Sequence, residues 1–283
     1  MSVLDHLRIG RRWQRAPVVS VLRFEGVIAS RPRRAGGSVS LASHGTAIER
    51  AFRASGLAAV AIVVNSPGGS PVQSALLFRR IRQLADEKGV PVIAFAEDVA
   101  ASGGYWLALA GDEIFTEETS IIGSIGVISA GFGFTQLIER LGVERRLHTA
   151  GERKSLLDPF LPEDPSEVER LTVLQQDIHR AFKEHVRRRR AKKLDDADET
   201  LFNGEVLTGH MAVERGLVDG IGELRAVMRA RYGEKVRLRA FPAERRRWSL
   251  WRRLPFAQRE PFAPIADLAD WIEARLLWAR FGL

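Results

Sequence analysis

Two glycine-rich turns, each directly after an apolar run, hold the residues of this sequence best suited to chemistry: NSPGG at 65–69 and ASGGYW at 101–106. In the second turn Ser102 stands where a strand gives way to a helix. The partial positive charge of the helix N-terminus there would favour negative charge on an attacking oxygen. The N–H of Gly103 and that of Gly69 could together hold a tetrahedral oxyanion. The same residues also fit plainer descriptions, in which Ser102 is a helix N-cap and NSPGG a tight strand-to-helix turn. NSPGG lacks the P-loop lysine and the G-x-G-x-x-G spacing, so phosphate binding has little support.

A nucleophilic serine needs a base. The six histidines are His6, His44, His148, His179, His185 and His210, and none stands beside a carboxylate pattern that marks a triad. Lys154, in AGERKSLLDPF, follows Ser102 by 52 residues in a loop opened by glycine. A neutral lysine can take a proton from serine where burial disfavours the ammonium. Taken by itself, Lys154 reads as a solvated lysine.

The elements that must position these residues alternate. Strands are expected at 18–24 (VVSVLRF), at 59–64 (AVAIVV), at 92–95 (VIAF) and at 114–116. A continuous apolar strand such as 59–64 belongs inside a parallel sheet covered on both faces. Helices are expected at 45–55 and at 72–88, the latter with Leu76, Leu77, Ile81 and Leu84 on one stripe, ended by Gly89 and Pro91. Further helices fall at 105–110, 137–141, 212–216 and 223–231. A long charged helix at 167–193 should bury Leu171, Leu174, Ile178 and Phe182. Short links between strands and helices indicate an α/β fold with right-handed crossovers.

Composition removes several classes. With 283 residues, 45% hydrophobic and 28% charged, the chain can bury a sizeable core. It has no cysteine, which excludes a disulfide scaffold, a thiolate metal site and a cysteine nucleophile. The net charge of +8 is concentrated in arginine runs at 187–190, 245–247 and 252–253, which read as solvated helix faces. No nucleic-acid module accompanies them, and no nucleic-acid partner is expected. The N-terminus shows no uninterrupted apolar signal segment. The charge-free stretch at 119–138 contains four glycines, which suits buried loops and strands better than a membrane span.

Taken in order, NSPGG, ASGGYW, GSIGV at 123–127 and GERKS at 151–155 resemble the serine peptidases of the signal peptide peptidase A (protease IV) family, from about residue 18 to 227. The resemblance implies Ser102 as nucleophile, Lys154 as general base, Ser124 as the residue orienting the lysine, and the N–H groups of Gly69 and Gly103 as oxyanion hole. It implies the fold of the Clp protease proteolytic subunit and the crotonases, a spiral of β-β-α units. The domain would run from 18 to 235, after a basic lead-in at 1–17 and before an Arg/Trp-rich helical extension at 236–283.

The activity implied is that of a serine endopeptidase with a Ser/Lys dyad, needing no metal or cofactor. Its substrates would be cleaved signal peptides or other membrane-associated peptides. The family builds rings of protomers, in which serine and lysine can come from neighbouring chains, so a ring-like homo-oligomer is expected. Cytoplasmic placement, free or peripheral at the cytoplasmic membrane, follows. In the extension, Leu268, Trp271, Ile272, Leu276 and the residues at 278–281 mix apolar bulk with Arg275 and Arg280. Such a helix could lie on an anionic membrane or pack on its own domain. The alternatives are a crotonase-like acyl-CoA hydratase or isomerase, and an inactive membrane-associated scaffold.

Overall fold

In a computed structural model of the chain, which describes residues 16–30, 38–151, 153–194, 199–243, 272 and 275–282, the apolar run at 59–64 lies at the centre of an eight-stranded sheet. That run belongs to β2 (Leu57–Ser66), flanked by β1 (Val18–Glu25) and β3 (Val92–Ala101), both parallel to it. Ala59 to Val64 are all buried, as a strand covered on both faces requires. Even-numbered side chains such as Leu22, Ile62 and Val64 enter the larger core. Val19, Ala61 and Val63 face the smaller one, around Met228. Helices α1 (Leu41–Phe52), α2 (Pro71–Lys88) and α3 (Gly103–Ala108) cover the first face, and α7 (Leu224–Tyr232) covers the second.

Local signals explain the helix ends. Ser40 and Ser43 form a reciprocal capping box at the start of α1. In α2, Ser70 accepts from the Gln73 N–H, Pro71 takes the first helical position, and Gly89 closes the helix in a left-handed conformation. Leu77, Ile81 and Leu84 are buried along its expected stripe.

On its far side β3 forks. Its first half pairs with β4 (Glu113–Thr116) and its last three residues with β5 (Ile121–Gly123). After α4 (Thr135–Arg140) and α5 (Pro165–Arg190), β6 (Val206–Thr208) runs antiparallel to β5, the one antiparallel pair of the sheet among the described residues. Then come α6 (Gly209–Glu214), β7 (Gly220–Ile221) on β4, α7, and β8 (Arg237–Ala240) parallel to β1. The sheet therefore continues past residue 235, and Phe241 is buried in the larger core.

Helix α5 departs from expectation. Of Leu171, Leu174, Ile178 and Phe182, only Phe182 is buried; Leu174 is 54% exposed. The helix is rooted at its C-terminal end and projects from the sheet domain elsewhere. Its arginine run is not a solvated face. Arg189 donates to the carbonyls of Leu109 (2.8 Å) and Gly111 (2.9 Å), at the C-terminal end of α3, where cations are favoured. Arg190, only 3% exposed, donates to the Gly216 carbonyl and pairs with Asp219 at 2.8 Å. Burial pushes the Asp219 carboxyl up, but hydrogen bonds from Arg190 and Lys193 outweigh it, and the group is held below the usual carboxylate range. Arg187 lies over the Phe202 ring.

Most of the C-terminal extension, including Leu268 and Trp271, lies outside the described residues. Residues 275–279 are helical, with Leu276 exposed. Among the described residues no helix is long and apolar enough to cross a membrane.

Candidate active site

The ends of β2 and β3 bring the two glycine turns together. A register shift separates Val64 from Ser66, and Asn65 fills it. Its side chain accepts from the Val99 N–H (3.2 Å) and donates to Asp98 (2.6 Å). Beyond the shift Ser66 pairs with Ala100, and each strand enters its turn.

In the first turn the Ile28 N–H donates to the Gly68 carbonyl, and the Ser70 N–H to the Ile28 carbonyl, both at 2.8 Å. In a parallel bridge of this kind the N–H of the middle residue, Gly69, points away from Ile28. Gly69 has a φ of 135°, and a side chain there would collide with the Ile28 carbonyl. A Cβ on Gly68 would lie 2.8 Å from both the Gly103 nitrogen and the Ser102 Cβ. The turn is therefore packed directly against the start of α3. The position a Cβ of Gly103 would take is 3.4 Å from the Gly69 nitrogen. Among the described residues, neither the Gly69 nor the Gly103 N–H has a hydrogen-bond partner.

Ser102 occupies the N-cap position of α3, yet its hydroxyl makes no capping bond. Its φ of 51° is a left-handed value that costs a non-glycine residue about 1–3 kcal/mol. Two backbone bonds hold it there: its N–H donates to the Gly123 carbonyl (2.8 Å), and its carbonyl accepts from the Trp106 N–H (3.0 Å). Because Ala101 pairs in register with Gly123, Ser102 and Ser124 leave neighbouring parallel strands at the same level. Ser124 is buried, also has a φ of 51°, and is tied through its N–H to the Glu205 carbonyl at 2.7 Å.

Two buried serines that the motif reading left without roles pack beneath these turns. Ser66 Oγ accepts from the Gly68 N–H, and Ser74 Oγ donates to the Ser70 carbonyl. No sequence pattern marks Ser74; its place one turn into α2 is the only hint.

The histidines with described surroundings are engaged elsewhere. His44 stacks on Phe24, and burial pulls its pKa down. His185 stacks on Trp106 and meets Phe78 edge-on, and burial takes its pKa down to about 4. His179 bonds the Ile125 carbonyl at 3.0 Å, beside Ser124. His210 is exposed near Glu214. Tyr105 OH, its pKa pushed up by burial, donates to the Leu217 carbonyl.

Lys154 lies on an exposed arm formed by residues 127–164. Its backbone N–H donates to the Gly151 carbonyl (3.2 Å). Among the described residues its amine forms no hydrogen bond or ion pair with Ser102 or Ser124. The structure thus brings Ser102, Ser124, Gly69 and Gly103 to one place, while Lys154 stands exposed on the arm with no hydrogen bond to them among the described residues.

Among the described residues no group of His, Asp or Glu is arranged to hold a metal ion. A cleft of about 500 Å³ lies on the α7 face, lined by Glu97, Asp98, Glu117 and Glu223. Three of these carboxylates are committed: Glu97 to Arg23, Asp98 to Asn65, and Glu223 to capping α7.

The model of peptidase family S49 matches residues 85–237. The chain is 46% identical over 274 residues to the Na(+)/H(+) antiporter NhaA of Brucella abortus, covering 94% of this chain and 37% of the antiporter. It is 36% identical over 206 residues to the chloroplastic serine protease SPPA of Arabidopsis thaliana, covering 68% of this chain and 30% of that protein. The chain spans about a third of the length of these relatives.

Proposed function

The chain belongs to peptidase family S49, and from that premise we propose that it is a serine endopeptidase working through an acyl-enzyme on Ser102. Ser102 Oγ attacks the scissile carbonyl while the free amine of Lys154 takes its proton. The N–H groups of Gly69 and Gly103 hold the oxyanion, and Ser124 orients the amine. The lysine, now an ammonium, protonates the leaving amine, and water then releases the acyl group. The observation that carries this reading is the strained, uncapped Ser102 beside two N–H groups that have no partner among the described residues.

The amine would come from a neighbouring chain. His179 marks where α5 passes Ser124, and Arg170, which touches the Lys154 loop, stands nine residues earlier, about 13 Å along a helix. A lysine works as base only when uncharged, which a dry enclosure favours. Phe132, Leu137 and Leu141 on the same arm are exposed, as is Leu174 on α5. They are suited to burial against a second copy in a ring-like homo-oligomer. The fork of β3 is consistent with stacked β-β-α units of the Clp protease and crotonase type.

The substrates would be peptides such as cleaved signal peptides, handled in the cytoplasm or against the cytoplasmic membrane. Similarity to a Brucella protein named as an antiporter supports work beside a membrane.

The test is turnover of a fluorogenic peptide. Ser102→Ala and Lys154→Ala should each lose at least about 10³-fold in kcat with the fold intact. A fluorophosphonate should form an adduct with the wild-type chain and not with Ser102→Ala. Undiminished turnover by Ser102→Ala would defeat the assignment.

A further inference from the structure

Lys154 owes its place to a handful of contacts, and most come from one face of α5. Glu167 and Arg170 stand three residues apart on that helix, so their side chains share a face. Arg170 Nη2 donates to the carbonyl of Arg153 (3.2 Å) and to that of Ser155 (3.3 Å), the residues on either side of Lys154. Glu167 Oε2 accepts from the Leu157 N–H at 2.6 Å. Leu157 has a φ of 50°, a left-handed value that a bulky residue seldom adopts without a constraint.

The face that makes these contacts is itself anchored. Asp164 caps α5 through the Ser166 N–H (2.8 Å), and Pro165 fills the first helical position. Further along, Arg145 pairs with Asp158 at 2.7 Å and ties down the far end of the loop. At its other end α5 is fixed to α3 through Phe182 and Arg189. One rigid rod therefore carries both the lysine loop and the contacts to the nucleophile's helix.

We propose that Arg170, seconded by Glu167, is a positioning residue for the general base. A single guanidinium nitrogen, Nη2, that donates to the carbonyls before and after Lys154 fixes the backbone direction there, and with it the direction in which the side chain leaves. Glu167 holds the turn that follows. Neither group touches substrate; both act through Lys154. The proposal rests on Lys154 being the base, and the experiment separates the two.

The full chain is assayed with a fluorogenic peptide as Arg170→Ala, Arg170→Lys, Glu167→Ala and Lys154→Ala. Arg170→Ala should lower kcat about 10- to 100-fold with KM within about twofold, since small misplacements of a catalytic group cost that much. Its assembly and unfolding midpoint should match wild type. Arg170→Lys keeps a cation able to reach one carbonyl and should recover part of the loss. Glu167→Ala should lose less than Arg170→Ala, and the rate of Ser102 phosphonylation should fall in step with kcat.

Wild-type kcat in Arg170→Ala, or a raised KM with kcat unchanged, would overturn the proposal. If Arg170→Ala fails to assemble, Glu167→Ala decides, and a wild-type kcat there overturns the proposal. Loss of turnover in Lys154→Ala beside full turnover in Arg170→Ala defeats the clamp alone. Full turnover in Lys154→Ala removes the base assignment as well.

Discussion

The end of β3 and the arm that bears Lys154 are built in opposite ways. Around Ser102, the neighbours Gly103, Gly104, Ser124 and Ser74 are buried, and Ser102 and Ser124 hold their left-handed φ values within that packing. Around Lys154 the backbone is secured by a few side-chain bonds, and large apolar side chains such as Phe132 and Leu141, each 68% exposed, stand uncovered. One region is finished within the chain. The other sets large apolar side chains among charged ones and leaves them open. In the proposed mechanism the nucleophile and the oxyanion donors are thus properties of the fold, whereas the setting of the base is a property of whatever covers the arm.

Mixing two dead variants tests that division most severely. Ser102→Ala lacks the hydroxyl but keeps the lysine, and Lys154→Ala lacks the amine but keeps the serine, so co-assembly should regain a large part of the roughly 10³-fold loss expected of each alone. No recovery in mixed assemblies would place both groups within one chain and break the comparison.

A smaller effect is expected at the finished end. Gly69→Ala forces the turn away from the Ile28 carbonyl and should misdirect an N–H proposed to hold the oxyanion. Its kcat should fall about 10²- to 10³-fold with assembly unchanged, as read by steady-state kinetics and sedimentation. An unaltered kcat would mean that this N–H takes no part.

The smallest effect concerns the root of α5. His185 stays neutral in the fold down to about pH 4, because burial opposes its charge and Arg188 and Arg189 add to that. In an unfolded chain it would take up a proton near pH 6.5. The unfolded state therefore binds more protons between these values. Stability is full above about pH 6.5 and falls as the pH drops toward 4, on the order of 3 kcal/mol in all. Denaturant unfolding at pH 7, 5.5 and 4.5 should show this slope in the wild type and a shallower one in His185→Phe. Identical slopes would assign the acid sensitivity to other groups.

The strands and most helices were legible because their periodicity answers to the chain's own core: 59–64 is apolar throughout and is buried throughout. The turns at 65–69 and 101–106 were legible as glycine-flanked breaks after such strands. Their alignment was not, since it depends on the register shift at Asn65 and on the pairing of Ala101 with Gly123. For Leu174 and Ile178, periodicity revealed an apolar stripe but not what covers it. His179, Arg170 and Glu167 left no signal, because a polar residue on a charged helix is marked only by what it touches.

The arginine run at the end of α5 has a consequence for how the chain's basicity is to be understood. Consecutive helical residues point about 100° apart, so four of them in a row radiate in nearly every direction; Arg187, Arg189 and Arg190 meet the protein and Arg188 stays exposed. The guanidinium groups at 189 and 190 terminate one helix and neutralise a sunken carboxylate. A polyanion would have to compete with the fold for them. The Arg190–Asp219 pair adds nothing to the +8, and a basic run in the sequence is in this sense internal wiring before it is a surface for partners.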